Sequence, residues 1–332
     1  MKAAIPPTPA LVADIGGTNA RFALAVRGES GMPAISDVAE LQTADFASPA
    51  EAARHYLDRL AQKVRPSSAV FAVATPITGD QIKLTNSPWS FSIRALTQDL
   101  HLQTLNVIND FAAIGLAIPH LGYGDLAPVG TARAVLARDR KDGHFSALGP
   151  GTGLGVCHLL LRAGESIVIE TEGGHIAFAP GTVREDRILE FLRRSYPRVS
   201  CERLISGPGL LNLYRAMCSV DGTGTEADSP EAITAAAEEE PQGGCARAVD
   251  LFCEILGGFA GDIVLAHGAW DGIYLAGGLV GRLLARIQSG GFRRRFEDKG
   301  RFQQLLAKVP VLAIRHPQAG LLGAGAAALS QA

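Results

Sequence analysis

No apolar run in this sequence approaches the roughly 18 residues of a membrane span. The opening stretch MKAAIPPTPALVAD holds too short an apolar segment for a secretory signal. There is no basic excess: the formal net charge is -2, which argues against a nucleic-acid or anionic-membrane surface. A small molecule is the expected partner. There is no CxxC pair among the five cysteines, Cys157, Cys201, Cys218, Cys245 and Cys253. They are read as reduced thiols of a cytoplasmic protein. Without clustered ligands, a structural zinc site is not expected. Tandem repeats and low-complexity linkers are also missing. At 332 residues the chain is long for one core, and two domains are expected.

Glycine, by contrast, is plentiful, with 38 residues, many clustered between apolar runs. Such clusters mark places where a backbone turns or meets a ligand. LVADIG and RFALAV read as two strands of a hairpin around Gly-Gly-Thr-Asn. SPAEAARHYLDRLAQKV reads as a helix with Ser48 as N-cap, Pro49 at its first position and Glu51 three residues after the cap. AVFAVATPI is a buried strand, SIRALTQDL a short helix capped by Ser92, TLNVIND a strand, and FAAIGLAIPHL a helix. This alternation is the α/β pattern. FSALGPGTGLGVCHLLL repeats the strand, glycine turn, strand unit, suggesting two similar halves. REDRILEFLRRSY, GPGLLNLYRAMCSV and CARAVDLFCEILGGFAGDIVLAHG are helices. GIYLAGG is a strand that leads into the helix LVGRLLARI. The stretch VPVLAIRHPQAGLLGAGAAALSQA reads as a strand and a small-residue helix. TGTEADSPEAITAAAEEEPQGG is the most loop-like region.

Two readings stay open for DIGGTN. Gly16 and Gly17 with Thr18 and Asn19 form a nest suited to phosphate oxygens, with a hydrated Mg²⁺ between the phosphate and Asp14. Otherwise it is a hairpin turn whose Asp accepts backbone N–H groups. GPGTGLG (149–155) is a second glycine turn. It fits neither the GxGxxG dinucleotide fingerprint nor a Walker A loop, since no GK[ST] follows. In YLAGGLV, Gly277 and Gly278 open a helix after a strand, either against a nucleotide or as a plain tight turn. Gly320, in the small-residue stretch AGLLGAGAAAL, either packs closely or borders the nucleotide. In VINDFAAIG, Asn109 and Asp110 end a buried strand, where open α/β sheets bind ligands. Asp110 is a candidate general base or a helix N-cap. TEGGHIAFAP holds Glu172 and His175 around a Gly-Gly, an acceptor and a donor suited to sugar hydroxyls. Glu202 in SCERLISGPG sits just inside a helix start, where a cap or dipole role competes with binding. In LTNSPWS, Asn86 and Trp89 line a cleft mouth, or Trp89 is core.

Taken in order, DIGGTNARFAL, TNSPWSFS, VINDFAAI, GPGTGLGV, EGGHIAFAP, ERLISGPGLLNLYRA, LFCEILGGFAGD, YLAGGLVGR, GFRRRFEDKGRF and GLLGAGA closely resemble the bacterial ATP-dependent glucokinase family, within the sugar kinase, actin and Hsp70 superfamily. The resemblance runs from about Leu11 to about Ala328. It implies two actin/hexokinase-like (ribonuclease H-like) α/β domains around a deep cleft. The small domain would comprise 1–110 plus about 312–332, and the large domain 111–311. The activity implied is ATP-dependent phosphorylation of D-glucose at the 6-hydroxyl, giving glucose 6-phosphate and ADP in cytoplasmic glycolysis, by a homodimer. Asp110 would be the base. Asn109, Asp110, Glu172, His175 and Glu202 would bind the sugar. Asp14 would face Mg²⁺ through water. Gly16, Gly17, Thr18 and Asn19 would form one phosphate loop, and Gly151, Thr152 and Gly153 the other. Gly277 and Gly278 would border the adenosine. The CxCGxxGCxE zinc cluster of the repressor/kinase (ROK) relatives is absent. No segment before Leu11 has room for a helix-turn-helix, which disfavours a DNA-binding repressor. Two other readings stand beside the kinase: a sugar-binding sensor that has lost catalysis, and an actin-like ATPase. The second leaves Asn109, Asp110, Glu172, His175 and Glu202 without a job.

Overall fold

The computed structural model describes residues 9–28, 31–61, 64–84 and 87–330. Asn86 and the end of the first expected helix, at 62–63, lie outside the described residues. The chain divides into two compact units, Met1–Leu121 with His316–Ala332, and Gly122–Arg315.

In the first unit, β1 (Ala10–Ile15) and β2 (Asn19–Arg27) form the hairpin expected about the Gly-Gly-Thr-Asn turn. β3 (Pro33–Gln42) adds an antiparallel edge strand. After α1 (Pro49–Asp58), β4 (Ser68–Val73) lies parallel to β1. β5 (Gln81–Lys83) and β6 (Ser90–Ser92) make a separate small ribbon. α2 (Ile93–Asp99) follows, then β7 (Thr104–Asn109), parallel to β4, and α3 (Asp110–Ala117). The main sheet runs β3-β2-β1-β4-β7. Ser48 Oγ accepts the Glu51 amide, an orphan donor of the first turn of α1, and Glu51 Oε2 accepts the Ala47 amide just before the cap. A cap of this kind contributes about 1 kcal/mol. α3 stops earlier than the sequence pattern suggests and tightens into a 3-10 turn at Ile118–His120, with Pro119 at its second position.

The two faces of this sheet follow from strand periodicity. Leu11, Ala13 and Ile15 point to one side and pack with Phe22, Phe71, Tyr56 and Trp89. Trp89 is core, and its indole N–H donates to Phe46 O. Ala10 and Val12 point to the other side, against Leu321, Ala324 and Ala327 of the C-terminal helix Ala319–Ser330. That helix also packs on α3 so tightly that a Cβ on Gly323 would fall 1.7 Å from Ala113 O.

The second unit opens with β8 (Leu126–Pro128), followed by the hairpin β9 (Gly143–Pro150) and β10 (Leu154–Arg162) and the edge strand β11 (Glu165–Thr171). Helices α4 (Val183–Arg193), α5 (Gly207–Asp221), α6 (Pro230–Glu239) and α7 (Gly244–His267) come next. β12 (Gly272–Leu275) precedes α8 (Gly278–Arg282), α9 (Leu284–Gln288), α10 (Gly291–Glu297) and α11 (Gln303–Leu306), and β13 (Val311–Ile314) closes the unit. Sheet order is β11-β10-β9-β12-β13-β8. As in the first unit, a three-strand antiparallel meander is followed by parallel strands. The region expected to be most loop-like contains α6 instead. Ser229 accepts the Ala232 amide, Pro230 opens the helix and Glu231 lies in its first turn, signals that outweigh the surrounding polar residues. The single helix expected at LVGRLLARI is two short ones, α8 and α9. No helix among the described residues is long and apolar enough to cross a membrane.

Candidate active site

In the first unit, β1, β4 and β7 are parallel and end at one edge of the sheet, with Ile15, Val73 and Asn109 in register across it. Asp14 is one residue before that edge. Period-two alternation turns it to the Val12 side, the side covered by the C-terminal helix. There the carboxylate meets a glycine: a Cβ on Gly320 would lie 2.6 Å from Asp14 Oδ2. Burial pushes the Asp14 carboxyl up from its ordinary value, and Arg21 draws it partly back down. A bare carboxylate is therefore costly there, and a cation facing it would be favoured.

The Gly16–Asn19 turn is closed by its own backbone, since Gly16 N–H donates to Asn19 O at 2.9 Å. That amide is engaged inside the turn and is not one that a phosphate would meet. The end of β3 and the 3-10 turn Thr43–Asp45 that follows it brace the turn from outside. The buried Thr43 donates its hydroxyl to Gly17 O and Thr18 O and its amide to Thr18 O, and Gln42 Nε2 donates to Asn19 Oδ1. Neither Gln42 nor Thr43 was singled out from the sequence, because nothing local marks a residue 25 positions away as the support of a turn.

Asn109 is the last residue of β7 and the N-cap of α3. Its Oδ1 accepts the amides of Phe111 at 2.8 Å and Ala112 at 3.3 Å, and its Nδ2 donates to Thr75 O. The cap considered for Asp110 thus falls to its neighbour. Asp110 is the first helical residue and half-buried, its Oδ1 accepting the Phe111 amide at 2.9 Å.

The second unit brings together another set. The turn between β9 and β10 carries Gly151, Thr152 and Gly153. Gly151 N–H donates to Gly153 O, and Gly151 O accepts the Gly207 amide, both at 2.8 Å. Leu154 N–H donates to Glu202 Oε2 at 2.9 Å. Glu202 lies in a 3-10 turn, Cys201–Arg203, ahead of α5 and outside the regular helix expected there. Glu172 follows the last residue of β11 and precedes a second 3-10 turn, Gly173–His175. That turn needs its glycines: a Cβ on Gly174 would fall 2.1 Å from Leu154 O. His175 Nε2 stands 3.8 Å from Glu172 Oε2 and 3.9 Å from Glu202 Oε2, so the three side chains form one polar cluster. Arg198 donates to His175 O at 2.8 Å, and Thr171 Oγ1 accepts the Gly173 amide. These two supports were also missed from the sequence. Gly277, at φ +97°, lies at the carboxyl end of β12, and a Cβ there would be 3.0 Å from Pro150 O, at the base of the glycine turn. Gly278 begins α8.

A cavity of about 640 Å³ in the same unit, lined by Ile176, Phe178, Cys201 and Phe259 among others, contains none of these polar groups. It borders them only through Ile176 and Cys201, the chain neighbours of His175 and Glu202. The polar cluster, with its acceptors and donors, is the better place for a polyol.

The Glucokinase family model matches residues 11–331. A glucokinase of Xanthomonas euvesicatoria pv. vesicatoria is 48% identical over 326 residues, covering 98% of this chain and 96% of its own. The crystal structure of a glucokinase from an Antarctic psychrotroph superposes with a TM-score of 0.86 at 36% identity, covering 97% of this chain and 99% of its own. At 22% identity, a glucokinase of Balamuthia mandrillaris solved in complex with glucose shares the fold, with a TM-score of 0.78 and coverage of 97% and 93%. By the family match and the near-full-length likeness together, the chain belongs to the glucokinase family, with the α/β fold of the actin-like sugar kinases.

Proposed function

We propose that Asp110 is the general base of this enzyme, an ATP-dependent glucokinase that phosphorylates D-glucose at the 6-hydroxyl and releases glucose 6-phosphate and ADP. The observation that carries the assignment is the position of Asp110. It is half-buried at the carboxyl end of a parallel strand, and the capping duty is taken by Asn109. Asp110 accepts the hydroxyl proton late in phosphoryl transfer, a contribution of about 10²–10⁴-fold. Most of the catalysis is positioning and electrostatics. Asn109 offers Nδ2 to the sugar, Glu172 and Glu202 accept from its hydroxyls, and His175 adds a donor or an acceptor. Wrong sugars leave some of these groups unpaired, which is the source of selectivity.

The Gly16–Asn19 and Gly151–Gly153 turns hold the phosphates of ATP, and Gly277 and Gly278 lie beside the adenosine. Mg²⁺, when bound, neutralises the charge of the triphosphate. Asp14 suits that ion through water: it is an oxygen donor whose burial disfavours a lone negative charge. The two units are the small and large domains of the enzyme, and the family resemblance supports a homodimer. Five buried free thiols support a reducing, cytoplasmic setting for glycolytic work.

ADP release in a coupled assay with Mg·ATP, with and without D-glucose, tests this reading. Release is expected only with glucose. Release without sugar would mean an ATPase, and no release while glucose still raises the melting temperature would mean a sensor.

A further inference from the structure

The three polar motifs of the second unit are joined through one side chain. Glu202 Oε2 accepts the Leu154 amide at 2.9 Å, so the exit of the Gly151–Gly153 turn is held by a carboxylate. A Cβ on Gly153 would fall 2.6 Å from the same oxygen, which places the carboxylate directly against the turn. The entry is held by the same short segment, through Gly207 N–H on Gly151 O at 2.8 Å. Glu202 is itself fixed from behind, because Ser206 Oγ donates to Glu202 O at 2.7 Å while accepting the Gly209 amide. The same Oε2 also faces His175 Nε2 at 3.9 Å. With Oε2 engaged by the turn, Oε1 is the oxygen left to a sugar hydroxyl. A hydrogen bond from an amide to a carboxylate is among the stronger ones a side chain makes, so this tether has real influence on the turn.

We infer that Glu202 is a positioning residue for the phosphate loop as well as a sugar ligand, so that glucose and nucleotide affinities are coupled through this one carboxylate. The inference rests on the reading of Glu202 as a sugar residue and of Gly151–Gly153 as a phosphate loop. A hydroxyl on Oε1 holds the carboxylate in one rotamer. That rotamer keeps Oε2 on Leu154 N–H, and the turn keeps the shape that receives phosphate. Coupling is reciprocal, so bound nucleotide tightens sugar binding by the same factor. One result is that the phosphate loop is best formed when an acceptor sugar is present, which disfavours transfer to water.

Steady-state KM values for ATP and glucose, together with calorimetric titration of the Mg²⁺ complex of the non-hydrolysable analogue AMPPNP with and without glucose, test this in the full-length wild type, Glu202→Gln and Glu202→Ala. Gln retains an acceptor for Leu154 N–H but changes the group offered to the sugar. Its glucose KM is expected to rise while its ATP KM stays within about threefold of wild type. Ala removes the tether. Its ATP KM is expected to rise about tenfold, and glucose is expected no longer to tighten AMPPNP binding. Equal ATP KM values in the two variants, or coupling retained in Glu202→Ala, overturn the inference. An unchanged glucose KM in both variants overturns the sugar assignment, and the coupling with it. If Glu202→Ala fails to fold, Glu202→Asp replaces it, since it keeps the charge and withdraws the oxygen from Leu154.

Discussion

The carboxylate of Asp14 rests against the bare backbone of Gly320: a Cβ at position 320 would sit 2.6 Å from Oδ2 and 2.8 Å from Cγ. The two residues are 306 positions apart, and their contact fixes where the acidic oxygens of β1 can be. Gly320→Ala is expected to push the Asp14 carboxylate aside. Displacement of a charge-bearing group by about 1 Å can cost about 10²-fold in turnover. The loss should fall on kcat and on the KM for Mg·ATP, with glucose affinity by calorimetry unchanged. A Gly320→Ala enzyme with wild-type kinetics would mean that Asp14 has no fixed role in the nucleotide site.

Asp110→Asn tests the base directly. The amide keeps the size and the acceptor for Phe111 N–H but is not a base. Turnover is expected to fall by about 10²–10⁴-fold with glucose affinity nearly unchanged. Steady-state rates combined with titration separate the two effects. Near-normal turnover in folded protein would remove Asp110 from the base role.

Glu172→Gln addresses sugar binding alone. Glu172 lies just after β11, beside His175, and supports no part of the glycine turn through a hydrogen bond of its own side chain. Glucose affinity should fall by about tenfold, the cost of losing a charged hydrogen-bond acceptor. ATP KM should not move. Unchanged glucose affinity would make Glu172 a structural residue.

Stability should carry an acid signature unrelated to catalysis. His158 on β10 is buried against His267 of α7 and near His144 of β9, with ring centroids 5.2 Å and 5.7 Å away. Ser146 Oγ is 2.8 Å from His267 Nδ1 and 3.5 Å from His158 Nδ1. Burial first, then the neighbouring imidazoles, lower the His158 pKa to about 4. An unfolded histidine titrates near pH 6.5. Between these values the unfolded chain binds the extra proton, so stability falls as pH falls from about 6.5 to about 4, by at most about 1.4 kcal/mol per pH unit for this group. The fully stable side of the window is the high-pH side. His158→Phe should flatten the melting temperature across that range, and an equally steep profile in the variant would exclude His158 as the source.

What could be read in advance was local. Ser48 and Ser92 cap helices with side chains that accept the amides three residues on, and the β1–β2 and β9–β10 hairpins announce themselves through apolar runs about a glycine turn. Edge strands were not legible. β3 reads PAISDVAELQ and β11 reads ESIVIET, both half solvent-exposed, and their pairing is set by the neighbouring strand rather than by burial of their own. The candidate site shows the same division. Asp110 and His175 stand in short motifs that carry chemistry. The supports Thr43, Arg198 and the Gly320 contact with Asp14 depend on which segments the fold lays side by side, information spread over 23 to 306 residues. The assignment of the cap to Asn109 instead of Asp110 turned on a single residue of helix boundary, the least legible detail of all.

The C-terminal helix gives the chain a built-in order of completion during synthesis. Its Leu321, Ala324, Ala327 and Ala328 pack in one layer with Ala10, Val12, Ala23 and Val70. A nascent chain emerging N-terminus first therefore exposes that side of the first sheet through some two hundred residues of further translation. The unit Gly122–Arg315 is continuous and can finish its core while the first still waits. Until residues 319–330 leave the ribosome, Asp14 also lacks the backbone it rests against. A chain interrupted shortly before its last helix would thus carry every polar residue proposed for the sugar and yet lack the backbone against which Asp14, proposed to face the nucleotide's ion, rests.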